Sequence, residues 1–109
     1  MDMQEAQTKV KELMQRIQHP RIGAMLALSE EVGELAKEVL EKEIYEETKD
    51  KKNIEGEAAD VLISLLELAN AYDIDLSEAL KSRLETLKPR VKKWEKMAGI
   101  LEKKRRQMD

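Results

Sequence analysis

Apolar residues recur along this chain at spacings of three and four and almost nowhere in strict alternation. Helices, not half-buried strands, are therefore the expected elements. Met3, Ala6, Val10, Leu13, Met14 and Ile17 form one amphipathic stripe, which His19-Pro20-Arg21-Ile22-Gly23 interrupts. A second helix carries one ridge of Met25, Leu28, Val32, Leu35 and Val39 and another of Ile22, Leu26, Ala36 and Leu40. Glu30, Glu34, Glu38 and Glu41 lie opposite these ridges, where a solvated face would hold them. This helix is expected to end before the polar run Glu41 to Asn53, read as a fraying end plus a connection.

A third helix is predicted from about Asn53, a good N-cap residue, to Tyr72. Its apolar positions cover more than half its circumference and leave a narrow seam of Gly56, Glu57, Asp60, Ser64, Glu67 and Ala71. A helix that is apolar on most sides is a central one. Asp75-Leu76-Ser77-Glu78 has the pattern of a capping box and opens a fourth helix with the stripe Leu76, Ala79, Leu80, Leu84, Leu87, Val91, Trp94. Pro89 within that stripe predicts a kink or break near Lys88, and the tail from Glu102 to Asp109 is expected to fray. The predicted fold is an all-α, four-helix bundle of antiparallel helices.

Composition narrows this further. At 109 residues the chain is read as one domain over 1–109, with a core of about 3–98 and a C-terminal extension over 99–109. Aromatic residues are 3% with no Phe, so aliphatic side chains, Met and Ala must fill the interior, and four Gly and two Pro leave too little punctuation for many short strands. The absence of Cys excludes thiolate catalysis and thiolate metal ligands and suits a reducing compartment. The first ten residues are polar, and the longest apolar stretch, Val61 to Ala69, already contains Ser64 and Glu67. No signal peptide or membrane span is expected, and a cytoplasmic location follows as the expectation.

The distribution of charge carries the candidate chemistry. From Ile54 to Leu80 there is no Lys or Arg, while Glu55, Glu57, Asp60, Glu67, Asp73, Asp75 and Glu78 are acidic. A second acidic cluster, Glu30-Glu31-Val32-Gly33-Glu34, lies one helix earlier. Glu31/Glu34 and Glu57/Asp60 are i, i+3 pairs, each projecting from one side of its helix. Packed together, the two helices would bring four carboxylates to one slot, and hard oxygen ligands of that kind suit Mg²⁺ or Mn²⁺. Solvated acidic faces are the alternative that spacing alone leaves open. Residues 81–106 hold eleven of the twenty basic residues, opposed only by Glu85, Glu95 and Glu102. An acidic middle and a basic end suit a polyanion held through metal on one side and cationic side chains on the other.

Glu30-Glu31-Val32-Gly33-Glu34-Leu35-Ala36, followed by Glu57-Ala58-Ala59-Asp60-Val61-Leu62, resembles the paired E-E-x-x-E and E-x-x-D signature of the MazG-like all-α nucleoside triphosphate pyrophosphohydrolases. His19-Pro20-Arg21 and Leu26-Ala27-Leu28-Ser29 are similar to the stretch preceding that signature, including in the dCTP-pyrophosphatase-like group. Ala71 to Ala79 is similar to the family's link into its last core helix, and the resemblance covers about residues 10–92. It implies Mg²⁺-dependent hydrolysis of a nucleoside triphosphate between the α- and β-phosphates, in nucleotide-pool house-cleaning. Carried over by position, Glu31, Glu34, Glu57 and Asp60 would hold the metal, with Mn²⁺ as a substitute. Glu30 would position or deprotonate the attacking water.

The last helix departs from the pattern. Where the family often has Lys-x-x-x-Asn-x-x-Arg, this chain has Arg83, Leu87 and Arg90, and Ser64 stands where a Tyr is common. Arg83, Lys88 and Arg90 are retained as candidate phosphate contacts, against simple solvation of an exposed basic helix. His19, the only histidine, and Arg21 are candidates for the nucleotide pocket, against an ordinary loop position. Trp94 continues an apolar stripe and reads as a core or subunit-interface residue rather than a base-stacking one. A small bundle with acids in its seam leaves apolar surface uncovered, and related proteins associate, so a homo-oligomer is expected, a dimer or dimer of dimers. Two rival readings stay open: a phosphoribosyl-ATP pyrophosphatase-like enzyme, and a non-enzymatic helical interaction module. The net charge of −3 and the lack of a recognised motif argue against nucleic acid as the partner.

Overall fold

The protein is described from a computed structural model over residues 1–17, 19–44 and 51–108, the side chains of Lys51 and Lys52 aside. Asp2 starts α1 (Met3–Met14) by accepting a hydrogen bond from the backbone N–H of Glu5 at 2.8 Å, which satisfies one of the donors a helix start leaves open. A turn then leads to Pro20, whose fixed φ and missing N–H place it immediately before α2 (Arg21–Glu43). Next comes α3 (Lys51–Ala71), and α4 (Leu76–Met108) completes the order. Among the described residues the chain is all-α, as the apolar periodicity predicts.

The chain divides into two compact units, Met1–Leu76 and Ser77–Asp109. In the first, α3 is the central helix and packs on both α1 and α2. Arg21, at the start of α2, reaches the carbonyl of Ala71 at the end of α3, and Glu31 meets Glu57 and Asp60 further back along α3. The two helices are therefore antiparallel. Val10, Ala24, Leu66 and Ala69 form the buried core where α1, the start of α2 and the end of α3 converge.

The turn that ends α3 is a left-handed cap. Asp73 has φ 53°, the N–H of Ile74 bonds to Ala69 O at 2.9 Å and that of Asp73 to Asn70 O at 3.2 Å. This is the paired pattern that closes a helix through a residue with positive φ. Gln7 on α1 locks the turn in place. Its side-chain amide donates to Asn70 Oδ1 (3.1 Å) and to Ile74 O (2.8 Å), while its Oε1 accepts from the N–H of Leu76 (3.0 Å). Asn70 Nδ2 returns a bond to Gln7 O at 2.9 Å. Gln7→Ala would strand several of these part-buried groups at once. A loss of about 2 kcal/mol, on the order of 10 °C in Tm, is the expected outcome in thermal unfolding followed by circular dichroism.

Several expectations from the pattern are corrected. The apolar ridges of α2 are only partly its packed face: Leu28 and Leu35 turn inward, but Ile22 is 74% exposed, Leu26 61% and Val32 48%. The row turned inward is Ala24, Ala27, Leu28, Glu31, Leu35 and Glu38, small or acidic at most positions. With one facing helix in its own unit, α2 can bury one row, and small residues let α3 come closest. The second helix runs on to Glu43 instead of ending before Glu41, and Asn53 lies inside α3 instead of capping it. Residues 45–50 of the connection lie outside the described residues.

The second unit, by itself, is the rest of α4, which continues unbroken through Pro89 to Met108. Proline removes one backbone hydrogen bond at a cost of about 3 kcal/mol, and the good helix formers on either side carry the helix across that gap. The expected fraying from Glu102 is also absent up to Met108. Glu102 pairs with Arg105 at 3.3 Å and Arg106 at 3.5 Å, and basic side chains in the last turn oppose the negative end of the helix dipole.

Candidate active site

Glu57 and Asp60 lie one turn apart on α3, and Glu31 projects from the inward row of α2 toward them. One carboxylate oxygen from each of Glu31, Glu57 and Asp60 falls within 4.8 Å of the others. Glu31 and Glu57 are partly buried and Asp60 is exposed, so the cluster opens to solvent on one side. Partial burial pushes the Glu57 carboxyl above the ordinary glutamate range, and the negative charges of Asp60, Glu31, Glu34 and Glu38 push it the same way. Among the described residues, the charges that raise the Glu57 pKa are all like charges. A divalent cation is the counter-charge that such an oxygen-only set fits.

Glu34 stands outside the three-carboxylate cluster but close enough to act on Glu57, and Glu30 is exposed on α2, also outside the cluster. Glu38, one turn beyond Glu34, was assigned to the solvated face by periodicity, yet it is half-buried and contributes to the same field. The signal that could have found it is the 3.5-residue row Ala24, Leu28, Glu31, Leu35, Glu38, which spans both ends of the packed face.

Further along the α3 seam lies the cavity that holds His19 and Arg21. Glu67 is seven residues after Asp60, about 10 Å along the axis and on the same side of the helix. Its Oε1 is 2.6 Å from His19 Nδ1. Arg21 donates from Nε to Ala71 O at 3.3 Å, and its guanidinium lies 5.0 Å from the centre of the Tyr72 ring. His19, Arg21, Glu67 and Asn70 share with Val10, Met14 and Ile17 the wall of a cavity of about 480 Å³. An apolar cleft with a few convergent polar groups is what a small organic ligand requires. The pattern singled out His19 and Arg21 but missed their fixing partners: the contacts to Glu67, Ala71 and Tyr72 span about 50 positions along the chain.

Arg83, Lys88 and Arg90 are exposed on α4. Lys88 pairs with Glu85 one turn back at 3.1 Å.

The all-α unit thus carries an acidic cluster and a polar-lined cavity along one helix. The family described as the MazG nucleotide pyrophosphohydrolase domain matches residues 21–94, and the chain belongs to it. Nucleotide pyrophosphohydrolysis is the general activity that this membership supports. The chain is also similar to the uncharacterized protein YpjD of Bacillus subtilis (strain 168), at 46% identity over 63 residues, 53% of this chain and 55% of that protein. The chain therefore spans about half the length of that curated relative. No solved structure matches. No helix among the described residues is long and apolar enough to cross a membrane.

Proposed function

We propose that this chain hydrolyses (deoxy)nucleoside triphosphates to monophosphate and pyrophosphate with Mg²⁺, in house-cleaning of the nucleotide pool. The observation that carries the reading is the convergence of Glu31, Glu57 and Asp60 from two helices, where neighbouring carboxylates raise the Glu57 pKa. These three, with Glu34, would hold the ion, and Mn²⁺ would substitute. Bound there, the ion supplies charge neutralisation at the phosphoryl oxygens and a lowered pKa for bound water.

The protein's own share is positioning and proton transfer. Glu30, adjacent to Glu31 in sequence, would orient the attacking water and accept its proton. The bridging P–O bond between the α- and β-phosphates breaks and pyrophosphate leaves with the bridging oxygen. His19 and Arg21, steadied by Glu67, Ala71 and Tyr72, are proposed to contact the nucleotide from the cavity along the α3 seam. Arg83, Lys88 and Arg90 are proposed as phosphate contacts on the chemistry of their side chains. The exposed apolar ridges of α2 support a homo-oligomer.

Arg21→Ala should raise KM for the triphosphate about tenfold with kcat changed less than about threefold, because a contact made equally in ground and transition states affects binding alone. Steady-state kinetics read this, with Arg21→Lys recovering part of the loss. The function itself is tested by a panel of canonical and damaged dNTPs, with phosphoribosyl-ATP alongside, and pyrophosphate as the readout. Turnover of dNTPs that requires Mg²⁺ supports the proposal. Release from phosphoribosyl-ATP alone overturns the substrate assignment.

A further inference from the structure

The apolar stripe of α4 continues past the residues matched by the family, and its spacing tightens to a heptad. Leu80, Leu84, Leu87, Val91, Trp94, Ala98, Leu101 and Met108 follow alternating steps of four and three, with Arg105 at the only polar place from Leu80 onward. Sustained over four heptads, a 3.5-residue repeat is the mark of a helix that pairs along its length with another helix. In its own unit α4 has nothing to pack on, and Leu84, Trp94 and Leu101 are about half exposed or more. A shallow depression of about 660 Å³ runs along this face, lined by Leu84, Leu87, Lys88, Val91 and Glu95 among others.

We propose that α4 is a subunit interface, pairing antiparallel with α4 of a second copy of this chain. Charge and size set the register. Taking Leu84, Val91 and Ala98 as a positions and Leu87, Trp94 and Leu101 as d positions, antiparallel pairing lays Leu84 against Leu101 of the second copy, Leu87 against Ala98, and Val91 against Trp94. From Leu84 to Leu101 each large side chain then meets a smaller or equal one, and at the ends Leu80 meets Arg105. On the flank formed by the e positions, Lys88 meets Glu95 and Lys81 meets Glu102, and the two-fold axis makes each pair twice. The other flank opposes Arg90 to Met97 and Arg83 to Lys104, so one of its two pairs is repulsive.

A parallel pair is worse in the core, where it stacks Trp94 on Trp94 and Arg105 on Arg105. Within residues 80–108 it also sets Arg83 against Lys88 and joins Arg90 with Glu95. Within a single copy Lys88 is held by Glu85 at 3.1 Å, with the two side chains 69% and 66% exposed. Such a surface pair contributes little and is readily exchanged for Glu95 of the second copy. Glu95 itself makes no ion pair among the described residues, and it lines the depression beside Lys88. This inference does not depend on the carboxylate site, and it turns Lys88, proposed above as a phosphate contact, to Glu95 of the second copy instead.

The chain has no cysteine, so site-directed cross-linking of the full protein is clean. Lys88→Cys and Glu95→Cys chains, mixed one to one and treated with a short bis-maleimide, should give a linked dimer, while either variant alone gives little. An Ala98→Cys chain should not link to itself. Charge exchange gives an independent reading by sedimentation. Lys88→Glu or Glu95→Lys should weaken association about tenfold, and the double exchange should return it to within about threefold of the parent. Self-linking at Ala98→Cys, no linked dimer in the mixture, or linking of residue 88 to residues 1–76 in place of α4 overturns the proposal. So do single exchanges without effect, or a double exchange no better than the singles.

Discussion

Asp60→Asn should lower Mg²⁺-dependent pyrophosphate release about 10³-fold, a loss of about 4 kcal/mol in transition-state stabilisation. The side chain keeps its size and its place on α3, but one of three clustered oxygens loses its charge. Asp60 is exposed, so the fold itself should not suffer, and the circular dichroism spectrum and Tm of the metal-free variant should stay close to those of the parent. Because the lost ligand holds the ion and not the nucleotide alone, raising Mg²⁺ should recover part of the rate, whereas raising the nucleotide should not. A loss of activity accompanied by a large fall in Tm would point to misfolding instead of a missing ligand, and an unchanged rate would remove Asp60 from the site.

The second large effect is a reversal of sign at Glu57. Without metal, its carboxyl is partly buried among Asp60, Glu31, Glu34 and Glu38, and its pKa stands above the ordinary glutamate value. A raised folded-state pKa means that the folded chain binds this proton more tightly than the unfolded one. The stability contributed is complete below the unfolded value and is lost as pH rises through the folded value. At neutral pH the metal-free protein therefore carries repulsion that Glu57→Gln removes. The variant should melt higher than the parent in EDTA and lose that advantage on acidification. Added Mg²⁺ should reverse the ranking. At a hundredfold excess over its Kd it stabilises the parent by about 2.7 kcal/mol, on the order of 10 °C in Tm, and Glu57→Gln by much less. The Mg²⁺ effect should itself shrink on acidification, as Glu57 takes up its proton. Differential scanning fluorimetry in EDTA and in Mg²⁺ across pH 5–8 reads all of these shifts. A parent that melts at the same temperature with and without Mg²⁺ contradicts the account.

How much of this was legible in the chain differs by element. The seam of α3 is legible because a largely apolar helix leaves one narrow polar strip, which holds Glu57, Asp60, Ser64 and Glu67, although spacing alone leaves open whether it faces a slot or solvent. The face of α2 is legible only in part, through Leu28 and Leu35. Hydrophobicity alone ranks Ile22, Leu26 and Val32 as core, but packing within one unit favours the row whose small side chains let two helices approach, and Ala24 is almost fully buried as a result. That choice is what turns Glu31 and Glu38 inward, so the error about the packed face and the error about Glu38 have one cause. Pro89 does not break α4, because a single missing hydrogen bond does not stop a helix of strong formers. The partners of His19 and Arg21 were illegible because they come from the far end of α3. Gln7, which ties α1 to the turn after α3, carried no pattern at all.

The most direct test of the central claim is product analysis of one dNTP turnover by ³¹P NMR, with and without Mg²⁺, on the parent and on Asp60→Asn. The account predicts monophosphate and pyrophosphate in equal amounts from the parent in Mg²⁺, and no products above background in EDTA or from the variant. Diphosphate with orthophosphate, or the same turnover from Asp60→Asn as from the parent, would contradict it.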